Sequence, residues 1–310
     1  MAHNPVTIEV IRTLDAIDRQ GSFAAAAEVL HKVPSALTYT IQKCERDLNL
    51  VLFDRSGHRA QWTPAARHIL QEGRRLLVSL ENLGHSAQRL AQGWALEYVI
   101  AIDHLLSFQQ ILPLLQQAQG EIPWVSMHIE RGTLSGTWEL LLERQADLVV
   151  APLNALPASA EEIESEVLGS IEMVLAVAPK HPLAAVAEAL TEADLATYPV
   201  VVNPDTARLN APLNAGLRQR RQELRVPDMD HKIEAQKQGL GVGLLPRHRI
   251  QSELEQSELI VKTLVPALQP EPMVVVAGWR ASDRDQTHQW VRQHLDRLVF
   301  GVKPDLDTAR

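Results

Sequence analysis

The stretch that most restricts what this chain can fold into is residues 21–43, GSFAAAAEVLHKVPSALTYTIQK. Ser22 is a good N-cap, and Phe23, Ala27 and Leu30 follow at spacings of four and three, the inward stripe of a short helix. His31, Lys32 and Val33 break the pattern, and Pro34 stands where proline is best tolerated, in the first turn of a new helix. In that second helix Leu37, Ile41, Cys44 and Leu48 fall on one inward face. The opposite face carries Ser35, Thr38, Tyr39, Gln42, Lys43 and Arg46: hydroxyls, an amide and cations, with no acid. Small polar side chains and cations on one helical face suit a DNA major groove, where they reach base edges and flanking phosphates. The pattern predicts a helix-turn-helix.

The neighbouring segments support that motif. Val10, Leu14 and Ile17 mark a first, buttressing helix. After Leu48, residues 50–64 read LVLFDRSGHRAQWTP. Val51, Leu52 and Phe53 are read as anchors in the small core, Ser56-Gly57 as a turn, and the arm bearing Arg55, His58 and Arg59 as a hairpin wing. Arg55 and Arg59 are candidate phosphate contacts; a plain solvated turn is the alternative. From Pro64 to about Gln92 runs one long helical pattern in which Ile69, Leu76, Leu83 and Leu90 recur every seven residues. Gly73, Leu80 and Ala87 fall four residues further on, so the pattern is a heptad seam with small residues that admit a second helix. It predicts a dimerisation stalk, unless the helix packs on its own body.

Net charge is −8, which alone argues against nucleic acid, but the charge is uneven. Residues 1–92 hold 11 Lys/Arg against 9 Asp/Glu, while the remainder holds 19 against 29. A weakly basic contact module joined to an acidic body fits DNA binding by two copies better than by one. Cys44 is the only cysteine, the N-terminus lacks a signal-peptide pattern, and no apolar run is long enough to span a bilayer. A cytoplasmic protein with no membrane partner is expected.

Beyond residue 93 the pattern alternates between strand and helix, which predicts α/β layers. Strands are expected at residues 98–102, 125–129, 148–150, 171–178, 200–202, 224–226, 243–245 and 273–278. Helices are expected near residues 108–118, 136–144 and 282–298.

These residues resemble the LysR-type transcriptional regulators over essentially the whole chain. The likeness rests on residues 21–64, from GSFAAAAEVL through VPSALTYTIQK and VLFDRSGHR to QWTP, and on GLGVGLLP at 239–246. The resemblance implies an α/β fold class with an N-terminal winged helix-turn-helix (1–63), a long linker helix (64–93) and a two-lobed effector domain (94–301) like periplasmic binding proteins, followed by a tail (302–310). The first lobe would take about 95–160 and 270–301, the second about 161–269. It also implies double-stranded DNA and a small-molecule effector as partners, a homodimer or homotetramer, RNA polymerase as a further partner, no catalysis and no cofactor. Many members carry glutamine at the place of Pro34 and serine-arginine at Thr38-Tyr39. Without that amide, adenine cannot be read from position 34, so base reading falls to Ser35, Thr38 and Tyr39, whose ring can touch a thymine methyl.

Ligands of open α/β sheets bind beyond the carboxyl ends of strands. Candidate effector residues are therefore Asp103, His104 and Ser107 in one loop, and Gly132, Thr133, Leu134 and Ser135 in a second. Asn203, Asp205 and Thr206 form a third group, and the resemblance adds Gly243. Asp103 would repel a carboxylate and accept from a hydroxyl, which points to a neutral hydroxylated aromatic, unless Asp103 caps the following helix and points away.

Other chemistry is thinly supported. The twelve histidines contain no H-E-x-x-H and have no cysteine cluster beside them, so they are read as scattered surface residues without a metal. No G-x-S-x-G is present. The GLGVG at 239–243 lacks the rest of a nucleotide loop and is read as close backbone packing at a strand start. Cys44 is read as a buried thiol, and Arg218, Arg220 and Arg221 as a solvated helix face. The competing class is a solute-binding α/β protein with an unrelated helical N-terminal module.

Overall fold

The computed structural model describes residues 4–55, 60–158, 160, 162–210, 212–213, 222–298 and 300. The chain divides into two compact units, one ending at Ala91 and the other beginning at Gln92.

In the first unit, α1 (Ile8–Gln20) starts at Thr7, whose side chain accepts from the Val10 N–H, and ends at Gly21 in the left-handed region. α2 (Phe23–Val29) starts at Ser22, whose hydroxyl accepts from the Ala25 N–H at 3.2 Å. α3 (Pro34–Leu48) opens on proline and closes at Asn49, whose φ of 52° a short polar side chain tolerates. Leu14, Ile17, Ala26, Ala27, Leu37, Ile41 and Cys44 close one core among these helices, and burial raises the Cys44 thiol above its ordinary range.

β1 (Phe53–Asp54) and β2 (Gln61–Trp62) pair antiparallel, giving the base of the expected hairpin. The Phe53 ring sits 5.1 Å from Phe23 and 4.7 Å from Trp62. Glu45 of α3 accepts from the Leu52 and Phe53 N–H groups at 2.8 and 3.1 Å, fixing the hairpin to α3. The hairpin tip, with His58 and Arg59, lies outside the described residues.

α4 (Pro64–Ala91) is held to α1 by Arg74, which reaches Asp15 at 2.7 Å and Asp18 at 2.6 Å. Gly73 has a different use from the one expected. A Cβ there would stand 2.5 Å from Ile11 Cγ2, so the missing side chain admits α1 of the same chain rather than a second copy's helix. Ile69 also packs partly on this core. Further along, Leu76, Leu83 and Leu90 are 58%, 64% and 55% exposed, and Leu80 is half-buried.

The second unit opens with β3 (Glu97–Asp103), α5 (Leu112–Glu121), β4 (Ser126–Gly132), α6 (Ser135–Leu142), β5 (Leu148–Pro152) and β6 (Ile163–Ile171). There follow β7 (Met173–Val177), α7 (Glu192–Ala196), β8 (Val200–Val202), β9 (Glu223–Arg225), α8 (Met229–Lys237), β10 (Leu244–Pro246), α9 (Gln251–Glu255) and β11 (Ile260–Lys262). β12 (Met273–Arg280) and α10 (Gln286–Gln293) complete it. One sheet has the order β4-β3-β5-β12-β6, with β3 parallel to β4 and β5, and β12 antiparallel to β5 and β6. In the other half β7 lies between β10 and β11, and β8 runs parallel to β9. The sheet strands are fully buried where they carry Ile100, Leu148, Val149, Val275 and Val276, against Trp138 of α6.

Besides Gly73, four expectations need correction. Val51, expected as a core anchor beside Leu52 and Phe53, is 59% exposed. β6 and β11 went unpredicted. β6 is an edge strand of sequence IESEVLGSI whose one neighbouring strand among the described residues is β12, with a single parallel bridge from Gly169 to Phe300 on its other side, so it needs no apolar run, and it carries the first sheet past the expected lobe boundary at residue 160 to Ile171. The last helix begins at Gln286 instead of Ser282, because Asp285 caps it by accepting from the His288 N–H at 2.9 Å. His181 and His288 are buried rather than on the surface; a His288 ring nitrogen lies 2.7 Å from the Tyr98 hydroxyl. The Arg218, Arg220 and Arg221 cluster and the tail lie outside the described residues. Among the described residues no helix is long and apolar enough to cross a membrane, and no group of three or more His, Cys, Asp and Glu could hold a metal ion.

Candidate functional site

Two surfaces carry the chemistry, one on each unit. On α3 the inward face is fully used, since Leu37, Ile41 and Cys44 are buried. The outward face holds Pro34, Ser35, Lys43 and Arg46 exposed, with Thr38 and Gln42 half-buried. Tyr39 is 61% exposed, a large ring that contributes nothing to the core. Thr38 donates its hydroxyl proton to the Pro34 carbonyl at 3.0 Å, so toward solvent it is left as an acceptor. Ser22 is exposed and serves as the α2 cap, and Arg55 is exposed where β1 ends.

In the second unit the expected loops meet, but several side chains there are already spoken for. Asp103 is fully buried. Its carboxylate accepts from Leu105 N at 2.8 Å, Leu134 N at 2.6 Å and Thr137 Oγ1 at 3.1 Å. Burial pushes it up to about 6, with these bonds pulling the other way. Its task is structural. Leu134 has a φ of 51°, a strained conformation for leucine, and Asp103 holds its N–H there. The expected hydroxyl-bearing ligand thus loses the acceptor that motivated it.

Ser107 is likewise occupied, capping the turn after it by accepting from Gln109 N at 3.3 Å. His104 donates its N–H to Gly132 O at 2.8 Å, and its carbonyl accepts from Arg249 at 3.0 Å. Thr206 Oγ1 accepts from Thr133 N at 3.0 Å, and Asp205 accepts from Gly136 N at 2.9 Å and from Ser135 N at 3.3 Å. The N-terminus of α6 is therefore capped by a carboxylate from the opposite lobe, about seventy residues later in the chain.

Between these ties lies a cavity of about 290 Å³. Of the expected effector residues, Thr133, Leu134, Asn203, Asp205 and Gly243 line it; Asp103, His104, Ser107, Gly132, Ser135 and Thr206 do not. Its apolar wall is Leu105, Leu134, Met173, Val200 and Leu244. Gly243 leaves room for a neighbour: a Cβ there would stand 3.1 Å from Lys232 Cε.

Lys232 is the residue that the sequence reading missed. It lies on the inner face of α8 beside Met229, Ile233 and Gln236, is 7% exposed, and faces the cavity. Desolvation lowers its ammonium to about 8. The available signal was a lysine in register with a buried stripe, at +3 from Met229 and −1 from Ile233.

With this geometry in hand, two family models match the chain. The bacterial regulatory helix-turn-helix of the lysR family matches residues 8–67, and the LysR substrate binding domain matches residues 91–299. The chain belongs to the LysR family: it is a DNA-binding regulator with an effector-binding domain, and not an enzyme.

Among its relatives are YeeY of Escherichia coli (strain K12), called an uncharacterized HTH-type transcriptional regulator, 36% identical over 98% of both chains. YhaJ of the same strain, a probable HTH-type transcriptional regulator, is 34% identical over 96% of this chain and 98% of its own. The full-length LysG regulator of Corynebacterium glutamicum with bound effector Arg superimposes with a TM-score of 0.51 at 22% identity, covering 97% of this chain and all 100% of that one. The Corynebacterium glutamicum OxyR C206 mutant gives 0.57 at 16% identity, covering 96% and 93%. At these identities the likeness to both structures is one of fold. The helix-turn-helix match removes the competing idea of an unrelated N-terminal module.

Proposed function

We propose that this chain is a cytoplasmic regulator that docks α3 in the major groove of its operator and senses a small effector in the cavity beside the α6 N-terminus. The observation that carries the first half is the outward face of α3, where Ser35, Tyr39, Lys43 and Arg46 are exposed, Asp47 is the one exposed acid at its C-terminal border, and the opposite face is sealed in the core. Base reading falls to Ser35, Thr38 and Tyr39, while Ser22, Pro34, Gln42, Lys43, Arg55 and Arg59 position the helix against the backbone.

Exposed leucines along α4, at 76, 83 and 90, support pairing with a second copy, which doubles the phosphate contacts of a weakly basic module. A homodimer or homotetramer then presents two recognition helices to half-sites, and the effector acts by binding one assembly geometry better than the other. Contact with RNA polymerase is the route by which such an assembly would act on transcription. Gel shift of the full chain on the DNA upstream of its own gene tests the reading. Retention of the shift against excess random duplex is expected, and equal competition by random duplex contradicts it.

A further inference from the structure

We propose that the cavity of the second unit is a carboxylate site, in which the ammonium of Lys232 holds the anion and Asn203 and Thr133 orient it. This rests on the cavity being the effector site and goes on to name the class of effector.

A helix N-terminus is the ready-made place for an anion, but in this molecule it is taken. Asp205 covers Ser135 N and Gly136 N, and also accepts from Ala207 N at 2.9 Å and Leu213 N at 2.8 Å. Asp103 takes Leu134 N. Three polar groups on the cavity wall remain. Among the described residues, the Thr133 hydroxyl and both polar atoms of the Asn203 amide are buried without a hydrogen-bond partner. The Lys232 ammonium makes no hydrogen bond or ion pair among the described residues. A lysine 7% exposed with no counter-ion is costly, and such groups elsewhere are paired. An arriving anion supplies the missing partner, and the hydroxyl and amide offer donors to its second oxygen.

The charge balance selects the class. The wall holds Lys232 and Arg225 against Asp205 and Glu223; Arg225 is paired with Glu223 at 3.1 Å and Asp205 is taken up by backbone N–H groups, so one ammonium is left for one negative charge, and the two carboxylates oppose a dianion. Leu105, Leu134, Met173 and Leu244 favour an apolar body. The ligand class is therefore a small organic monocarboxylate.

The test titrates the full chain calorimetrically with acetate, isovalerate and benzoate, and in parallel with isovaleramide, benzamide, phenol and inorganic phosphate. At least one of the three carboxylates is expected to bind wild type roughly tenfold or more tightly than its neutral counterpart, and to lose that advantage in Lys232→Met. Lys232→Met should melt no lower than wild type, so the loss reports binding and not unfolding. Phenol or an amide binding both proteins alike would leave the cavity as the effector site and overturn the carboxylate. Tighter binding of phosphate, carboxylate binding unchanged in Lys232→Met, or no binding by any of the three carboxylates would overturn it as well.

Discussion

The two units use polar side chains in opposite ways. On α3 Ser35, Tyr39, Lys43 and Arg46 stand in solvent, with Tyr39 61% exposed, and only the half-buried Thr38 turns its hydroxyl to the chain. Around the cavity of the second unit Asp103, Asp205, Lys232, Asn203 and Thr133 are buried or half-buried, and each either ties loops together or is left without a partner among the described residues. Asp103 and Asp205 are joints, since their oxygens are filled by backbone N–H groups from distant loops. Glu139 is another, accepting from Arg208 N at 2.7 Å and Leu209 N at 2.9 Å. The Lys232 ammonium, the Asn203 amide and the Thr133 hydroxyl have no partner among the described residues. An exposed polar face thus suits a macromolecule that brings its own surface, whereas an unpaired buried group suits a small ligand.

The contrast can be broken most heavily on α3 itself. Ile41→Ala, on the buried face, should cost about 2–5 kcal/mol in denaturant unfolding. Tyr39→Ala, two residues away on the open face, should stay within about 0.5 kcal/mol. Comparable losses would mean that Tyr39 belongs to the core.

Lys232 offers the next largest effect, with the opposite sign. Its ammonium is lowered from 10.5 to about 8 in the folded chain, so between those values the unfolded chain binds more protons. Stability should therefore rise as pH climbs from about 8 toward 10.5, and the cost of the buried charge is fully present below about 8. Lys232→Met should remove that rise and stabilise the ligand-free chain near pH 7, by up to about 3 kcal/mol. A destabilised mutant with the pH dependence intact would mean that the Lys232 ammonium has a partner. Asp205→Ala should do the reverse, costing about 1–3 kcal/mol by leaving the α6 cap unmade. An unchanged melting temperature would show the joint between the lobes to be dispensable.

How much of this was visible beforehand follows the same division. The helix-turn-helix was legible because its signals are local: Ser22 before α2, Pro34 at the start of α3, and the four-three-four spacing of Leu37, Ile41, Cys44 and Leu48. The GLGVG packing was legible too; a Cβ on Gly241 would stand 2.5 Å from Pro199 O, and β10 follows. The cavity was legible only in outline. Asp103 looked open because its partners Leu134 and Thr137 lie more than thirty residues on, and no spacing rule links them. Asp205 looked like a ligand contact because its place on α6 depends on tertiary closure. β6 escaped because an edge strand can alternate acids with small residues, and Gly73 was misassigned because a seam read from periodicity does not say which helix fills it.

The smallest structural change carries the most direct test of the proposed DNA-reading face. Affinities of wild type, Tyr39→Ala and Arg55→Ala should be measured on operator and random duplex across a salt series. Tyr39→Ala is expected to lose about 1–3 kcal/mol of preference for operator with an unaltered salt slope. Arg55→Ala is expected to weaken both duplexes alike and to reduce the slope by about 1. Equal losses on both duplexes from both mutants would contradict the assignment of α3 as the helix that reads sequence.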